Sequence, residues 1–245
     1  GRPWQPKTKK NYRGSLVAMS LYARKTLKAI PENGEETEFQ KIAVPKKRTN
    51  LPVEIYSKQE IAKLLTSAIE TDIDLIPILV LGGFMGLRPA EAHGEDVDRD
   101  RLCWEHFVWR DKSLPVYGQK VNSKATRDVP IPDNAIAWLH PFKILKGEIW
   151  KLKSAFDGRF ASLRKKAGVR DIYDGLRHSY CSYRYRILTG NVDQVADEMG
   201  NSREEVMRSY KRNVTDREAK AWFEIKPPAN YAKTIKSILD SRQSI

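Results

Sequence analysis

Apolar residues along this chain fall mostly at helical spacing, interrupted once by a stretch of alternation. SKQE (57–60) is a capping box, in which a serine and a glutamate each satisfy the other's backbone N–H, and the apolar series Ile61, Leu64, Leu65 follows it. Residues 73–85 are apolar on all sides, which predicts an interior helix. Gly86 breaks that helix, and GLRPAEA (86–92) restarts a helical turn at Pro89, a residue suited to a first turn. Leu16, Ser20, Ala23 and Leu27 lie near one face of a predicted helix over 15–30, after a loose basic start at 1–13. Phe156, Phe160, Leu163 and Ala167 form another stripe, and helices are predicted over 134–140, 175–188 and 191–199. A second capping box, Ser202 with Glu205, opens a helix expected to carry Tyr210.

Between 106 and 132 the texture changes. HFVW (106–109), LPVYG (114–118) and RDVPIP (127–132) read as short strands, the last two joined by the polar, lysine-bearing turn KVNSKA. Helices, a small antiparallel sheet, then helices again predict a mostly α architecture. The polar, proline-containing stretch 31–56 predicts a linker or an irregular wrap. One helix cannot bury a core alone, so residues 1–50 are expected to be a fragment of a helical domain plus linker, or an arm packed on the rest, and 51–245 the main domain.

Composition narrows the partners. Lys and Arg total 44 against 31 acidic residues, a formal charge of +13, which favours polyanions such as DNA, RNA or an anionic membrane. The longest apolar run, 78–87, is too short to span a bilayer, and the first residues do not read as a signal peptide. A membrane partner is not expected. Cys103 and Cys181 give neither a disulfide framework nor zinc spacing; both are expected to be buried small apolar residues in a reducing compartment.

Four residues carry candidate chemistry. Arg88 directly follows the interior helix, where the core beneath fixes it, and Glu91 is placed to orient it. Arg177, between Leu176 and His178, is expected on a partly buried face. A partly buried arginine needs an anionic partner, which a structural carboxylate or a bound anion can supply. Lys124 sits in the polar turn. Tyr210, among Arg208, Lys211 and Arg212, is either a packing residue or a nucleophile beside a phosphate.

In combination these motifs resemble the tyrosine recombinase (phage integrase) family over about 55–225. Gly86, Leu87, Arg88 and Glu91 match its first box. A hairpin lysine, Lys124 or alternatively Lys120, precedes a strand with Arg127, Val129 and Pro130. Leu176, Arg177, His178 and Ser179 match its second box. Met199, Gly200 and Asn201 correspond to its L-G-H box, and Tyr210 follows Asn201 by the family's nine residues. Two positions depart: Asp174 and Asn201 stand where the family has histidines.

The resemblance implies a helical catalytic domain with a small antiparallel sheet, preceded by a partial helical segment. It also implies a reaction. Tyr210 attacks a DNA phosphodiester to form a 3′-phosphotyrosyl bond and release a 5′-hydroxyl, with neither ATP nor metal. Arg88 and Arg177 clamp the phosphate oxygens. Lys124 protonates the leaving oxygen, and Asn201 keeps a hydrogen-bond donor at the phosphate. Asp174 as a carboxylate is the candidate to take the tyrosine proton; Glu91 and His178 support.

Lys120, Arg127, Lys46, Lys47, Arg48, Arg164 and Lys165, with Lys7, Lys9, Lys10 and Lys166, are the candidate DNA contacts. Implied partners are double-stranded DNA and further copies of the chain, a tetramer on DNA and a monomer when free. The implied setting is the cytoplasm, at a nucleoid, in a prokaryote or phage. The helix over 230–241, with Tyr231, Ile235, Ile238 and Leu239 on one face, docks either on a neighbouring subunit or on its own domain. Rival readings are a DNA-binding accessory protein of this fold that has lost the chemistry, and a type IB topoisomerase.

Overall fold

The computed structural model describes residues 6–30, 35–43, 53–93, 101–117, 126–150, 156–209 and 214–243. Contacts divide the chain into two units, 1–51 and 52–245. In the first, α1 (Pro6–Lys25) starts nine residues earlier than the apolar periodicity indicates. Pro6, whose ring fixes a helical φ and whose missing N–H costs nothing in a first turn, opens it, and the lysines that follow are compatible with helix. Within the polar stretch after it lies one helical turn, α2 (Glu38–Lys41), closed by a Thr37–Gln40 capping box. Arg13 ties this turn to α1 by donating to the Ile42 and Gln40 carbonyls.

In the second unit the Ser57–Glu60 capping box starts α3 (Lys58–Thr71), which buries Ile61, Leu64, Leu65 and Ala68 at i, i+3, i+4 and i+7. Next, α4 (Leu75–Met85) is buried along its whole length, as its unbroken apolar sequence predicts. It packs against α3, against α6 (Asp133–Leu139) and against α8 (Gly175–Ile187). The large aromatics around it satisfy their polar tips on backbone: Trp222 Nε1 donates to the Gly83 carbonyl (3.0 Å) and Tyr183 Oη to the Tyr56 carbonyl (3.0 Å). At the C-terminal end Gly86 is left-handed (φ 69°), and a Cβ there would come within 2.3 Å of the Tyr180 ring. Only glycine fits both the dihedral and the space. The turn delivers Arg88 to α5 (Pro89–His93).

The sheet has two strands among the described residues, β1 (Ser113–Tyr117) and β2 (Thr126–Pro130), antiparallel with Val116 opposite Arg127. HFVW does not make a third. Trp104–His106 is a 3-10 turn, and Val108 pairs only with Ser113 across a tight turn. The apolar residues there serve a stack of rings instead: Phe107 on Trp109 at 4.5 Å, and Trp104 on Phe142 at 5.7 Å. The stripe of α7 (Phe156–Ala167) turns Phe160 and Leu163 into the core. Asn191 caps α9 (Val192–Met199), and the Ser202–Glu205 box opens α10 (Arg203–Ser209). After α11 (Asp216–Phe223) comes α12 (Tyr231–Gln243).

Of the two placements expected for α12, the structure takes the one on its own domain. Tyr231, Ile235 and Leu239 join the core, and Tyr231 Oη donates to the Trp138 carbonyl (2.6 Å). Of the two cysteines Cys181 is buried, whereas Cys103 is half-buried and donates to the Arg101 carbonyl. No described helix is long and apolar enough to cross a membrane.

Candidate active site

The end of α4, the start of α8 and the loop after α9 meet at one cleft of about 900 Å³, lined by Arg88, Asp174, Arg177, His178 and Asn201. The Gly86 turn aims Arg88, and Glu91, one helical turn on, receives both its backbone N–H (2.8 Å) and its Nη1 (3.1 Å). Arg177 enters from α8 and is 4% exposed. Its Nη1 donates to the Gly86 carbonyl and its Nη2 to the Met199 carbonyl (2.7 Å).

The two guanidiniums then share an acceptor. Asn201 Oδ1 receives Arg88 Nη2 at 2.6 Å and Arg177 Nη2 at 2.8 Å. Guanidiniums only donate, so the carboxamide must turn its oxygen toward them. Gly200, left-handed at φ 61°, makes the sharp turn that presents Asn201, and its carbonyl accepts Arg88 Nη2 at 2.5 Å.

The charges perturb one another. Burial, aided by the like charge of Arg88, pushes Arg177 down to about 10, so it stays protonated at neutral pH. Burial also pushes the Glu91 carboxyl up. The hydrogen bonds and charge of Arg127 outweigh that push and hold it below its usual range. The Asp174 carboxyl moves the other way: burial raises it, and the charges of His178, Arg177 and Arg88 only partly offset this. Asp174 is also left-handed (φ 50°) at the N-cap of α8, a conformation that Asp and Asn adopt more readily than most residues. His178 Nε2 lies 3.9 Å from Asp174 Oδ2, both side chains about a quarter exposed.

The structure thus gathers Arg88, Glu91, Asp174, Arg177, His178 and Asn201 from three separate segments. Tyr210, Lys124, Lys120, Lys46, Lys47 and Arg48 lie outside the described residues. Arg164 and Lys165 both sit on α7. Lys165 is exposed, while Arg164 lies over the Phe160 ring (4.4 Å) and pairs with Asp171 (3.2 Å).

Arg127, expected among the DNA contacts, turns inward. Its Nη1 and Nη2 bind the two Glu91 oxygens (2.9 and 2.8 Å), and its Nε donates to the Glu198 carbonyl (3.0 Å). The sequence held a signal for this: Arg127 shares strand parity with Val129 and Ile131, both buried. The Met199 and Gly200 carbonyls, which orient the arginines through backbone, left no signal in side-chain chemistry.

No protein-family model matches the chain, nor does any curated protein. Solved structures do match. XerA recombinase aligns with a TM-score of 0.52 at 16% identity, over 90% of this chain and 83% of that one. XerH site-specific recombinase, in a pre-cleavage complex with its difH substrate, gives 0.57 at 19%, over 84% and 62%. A variant of the Tn1549 transposon integrase, in complex with a circular intermediate DNA, gives 0.62 at 18%, over 91% and 80%. At these identities the likeness is one of fold: the chain has the helical tyrosine-recombinase catalytic fold with its small antiparallel sheet.

Proposed function

We propose that this chain is a site-specific DNA recombinase that cuts and rejoins strands through a 3′-phosphotyrosyl intermediate. One observation carries the reading: Arg88 and Arg177, 89 residues apart in sequence, converge on a single oxygen, that of Asn201, at the wall of an open cleft. Two guanidiniums that meet at one acceptor oxygen have the geometry to meet at a phosphate oxygen. A pentavalent phosphorus places extra negative charge on its non-bridging oxygens, and preoriented donors stabilise that charge.

Tyr210 is the proposed nucleophile: its Oη bonds to phosphorus, the P–O5′ bond breaks, and the 5′-oxygen takes a proton from Lys124. Asp174, whose burial raises its proton affinity, accepts the phenolic proton. In the reverse step a free 5′-hydroxyl displaces the tyrosine, so the phosphodiester energy is conserved. The net charge of +13 suits a duplex partner. Assembly of four copies on DNA, in a cytoplasmic nucleoid setting, belongs to the same reading.

The test needs no known target. The chain is incubated with a pool of duplexes randomised at the centre and nicked, so that the released fragment diffuses away, and protein–DNA adducts are isolated under denaturing conditions. The expected outcome is a covalent 3′ adduct with a defined sequence, abolished by Tyr210→Phe. DNA retention without any adduct favours the second reading, an accessory DNA-binding protein of this fold. Asp174 and Asn201, in place of histidines, are the features that favour that rival. Supercoil relaxation with no sequence preference among adducts favours a type IB topoisomerase.

A further inference from the structure

The recombinase reading leaves Arg127 without a role, and the geometry around it is specific. It stands on β2, opposite Val116, and its side chain is 14% exposed. Its guanidinium closes a two-toothed fork on Glu91, Nη1 to Oε1 and Nη2 to Oε2. The third nitrogen, Nε, binds the Glu198 carbonyl in the last turn of α9. Gly200 packs flat against it: a Cβ at that glycine would lie 3.0 Å from Arg127 Nη1. One side chain therefore touches the segment that carries Arg88 and the segment that carries Asn201. It does so from the strand onto which the chain emerges from residues 118–125, where Lys120 and Lys124 lie.

Charge gives the contact a second consequence. Glu91 is 3% exposed and ionised. Alone with Arg88 it would take that guanidinium as its full counter-ion, in a closed pair with little charge left for a phosphate. With both carboxylate oxygens held by Arg127, Glu91 gives Arg88 a single side-chain contact at 3.1 Å, longer than either Arg127 contact. The carboxylate orients Arg88 without neutralising it.

We propose that Arg127 is a positioning residue of the reaction. It takes the charge of Glu91, which leaves Arg88 cationic toward the scissile phosphate, and it locks the Gly200–Asn201 turn to the β-hairpin strand. This rests on the recombinase reading and assigns Arg127 no contact with DNA.

The experiment uses the full chain and a nicked duplex recovered from the adduct pool, with Arg127→Gln and Arg127→Lys. Three quantities are read: duplex affinity across a salt series, the single-turnover rate of adduct formation at saturating DNA, and the thermal midpoint. The expected result for Arg127→Gln is a rate loss of about 10–100-fold, the range typical when an orienting partner of a ligating group is removed. Affinity stays within about threefold and the salt slope is unchanged, because a lost phosphate contact would lower that slope by about one. Arg127→Lys restores the charge and most of the midpoint but not the rate, since an ammonium cannot form the fork and reach Glu198 together. Combined with Glu91→Gln, Arg127→Gln adds less than its own single-variant loss.

A weakened affinity with a shallower salt slope and a normal saturated rate makes Arg127 a DNA contact and overturns the proposal. So does a rate that returns in Arg127→Lys together with the midpoint, which makes the residue structural only. Failure of the wild-type chain to form any adduct removes the recombinase reading itself, and this proposal with it.

Discussion

Two arginine clusters in this protein look alike and are balanced differently. At the junction of α3 and α4, Arg159 binds Asp72 through Nε (2.6 Å) and Nη2, and reaches Asp74 as well (2.9 Å). Arg242 of α12 closes on the other Asp74 oxygen at 2.6 Å. Two guanidiniums there meet two carboxylates. In the cleft, three guanidiniums (Arg88, Arg127 and Arg177) face two carboxyl groups among the described residues: Glu91, hydrogen-bonded to Arg88 and Arg127, and Asp174, which burial holds above its usual range. Their other acceptors are neutral: four backbone carbonyls and the Asn201 amide. A balanced cluster is complete and ties elements together. An unbalanced one keeps positive charge, held at the desolvation cost of burial, and so has affinity left for an anion. The ratio of charges, rather than the presence of buried arginine, separates a fastening from a candidate site.

Substitution on each side sharpens that contrast. In the cleft, Arg88→Gln is expected to slow adduct formation about a hundredfold, on the order of 3 kcal/mol of barrier. Thermal stability should change little, because Arg88 is about a third exposed and its loss leaves Glu91 with Arg127. In the balanced cluster, Arg159→Gln is expected to do the reverse. Calorimetry or denaturant titration should show a loss of about 1.5–3 kcal/mol, as for hydrogen bonds to charged groups, with the adduct rate unchanged. If Arg159→Gln lowers the rate while Arg88→Gln does not, the charge-ratio criterion fails.

The smallest effect concerns the cleft's own carboxyl, Asp174. Its folded-state proton affinity is raised by burial, so the folded chain binds more protons than the unfolded one between the ordinary carboxyl range and the folded value. Stability from this group is present below that window and is lost as pH rises through it. Asp174→Asn removes the penalty and suits the left-handed backbone. The variant is expected to melt about 1–3 °C higher than wild type at neutral pH, with the difference vanishing at acid pH. A constant offset at every pH would count against burial of a charge as the cause. If Asp174 takes the tyrosine proton, the same variant slows cleavage. Unchanged rates in both Asp174→Asn and Asp174→His remove that role.

Much of this was legible in the sequence, for identifiable reasons. The capping boxes at Ser57 and Ser202, the unrelieved apolar run of α4 and the strands 114–118 and 127–132 are local signals, and the structure honours each to within a residue or two. Arg88 was legible because it directly follows an apolar run, and Arg177 because its place between Leu176 and His178 at a helix start points it inward. The misreadings came where long-range packing overrode a local pattern. HFVW has strand-like residues but uses them in a ring stack with Phe142, 35 residues on from Phe107. The early start of α1 has a polar sequence with no apolar period to announce it. Arg127 is expected as a DNA contact although its parity with Val129 points inward, and the placement of α12 needs Trp138 to decide it.

The wholly buried α4 has a consequence for motion in the cleft. Its amides have no route to solvent short of the opening of the whole unit, so they should rank among the slowest in hydrogen exchange. Arg88 is mounted one turn beyond this rigid shaft. Adjustment of the cleft to a bound duplex should therefore fall to the short α10, whose Glu205 lines the opposite bank beyond the locked Gly200–Asn201 turn, and exchange there should be faster by orders of magnitude. The protein would then resemble a vice with one fixed jaw and one travelling jaw.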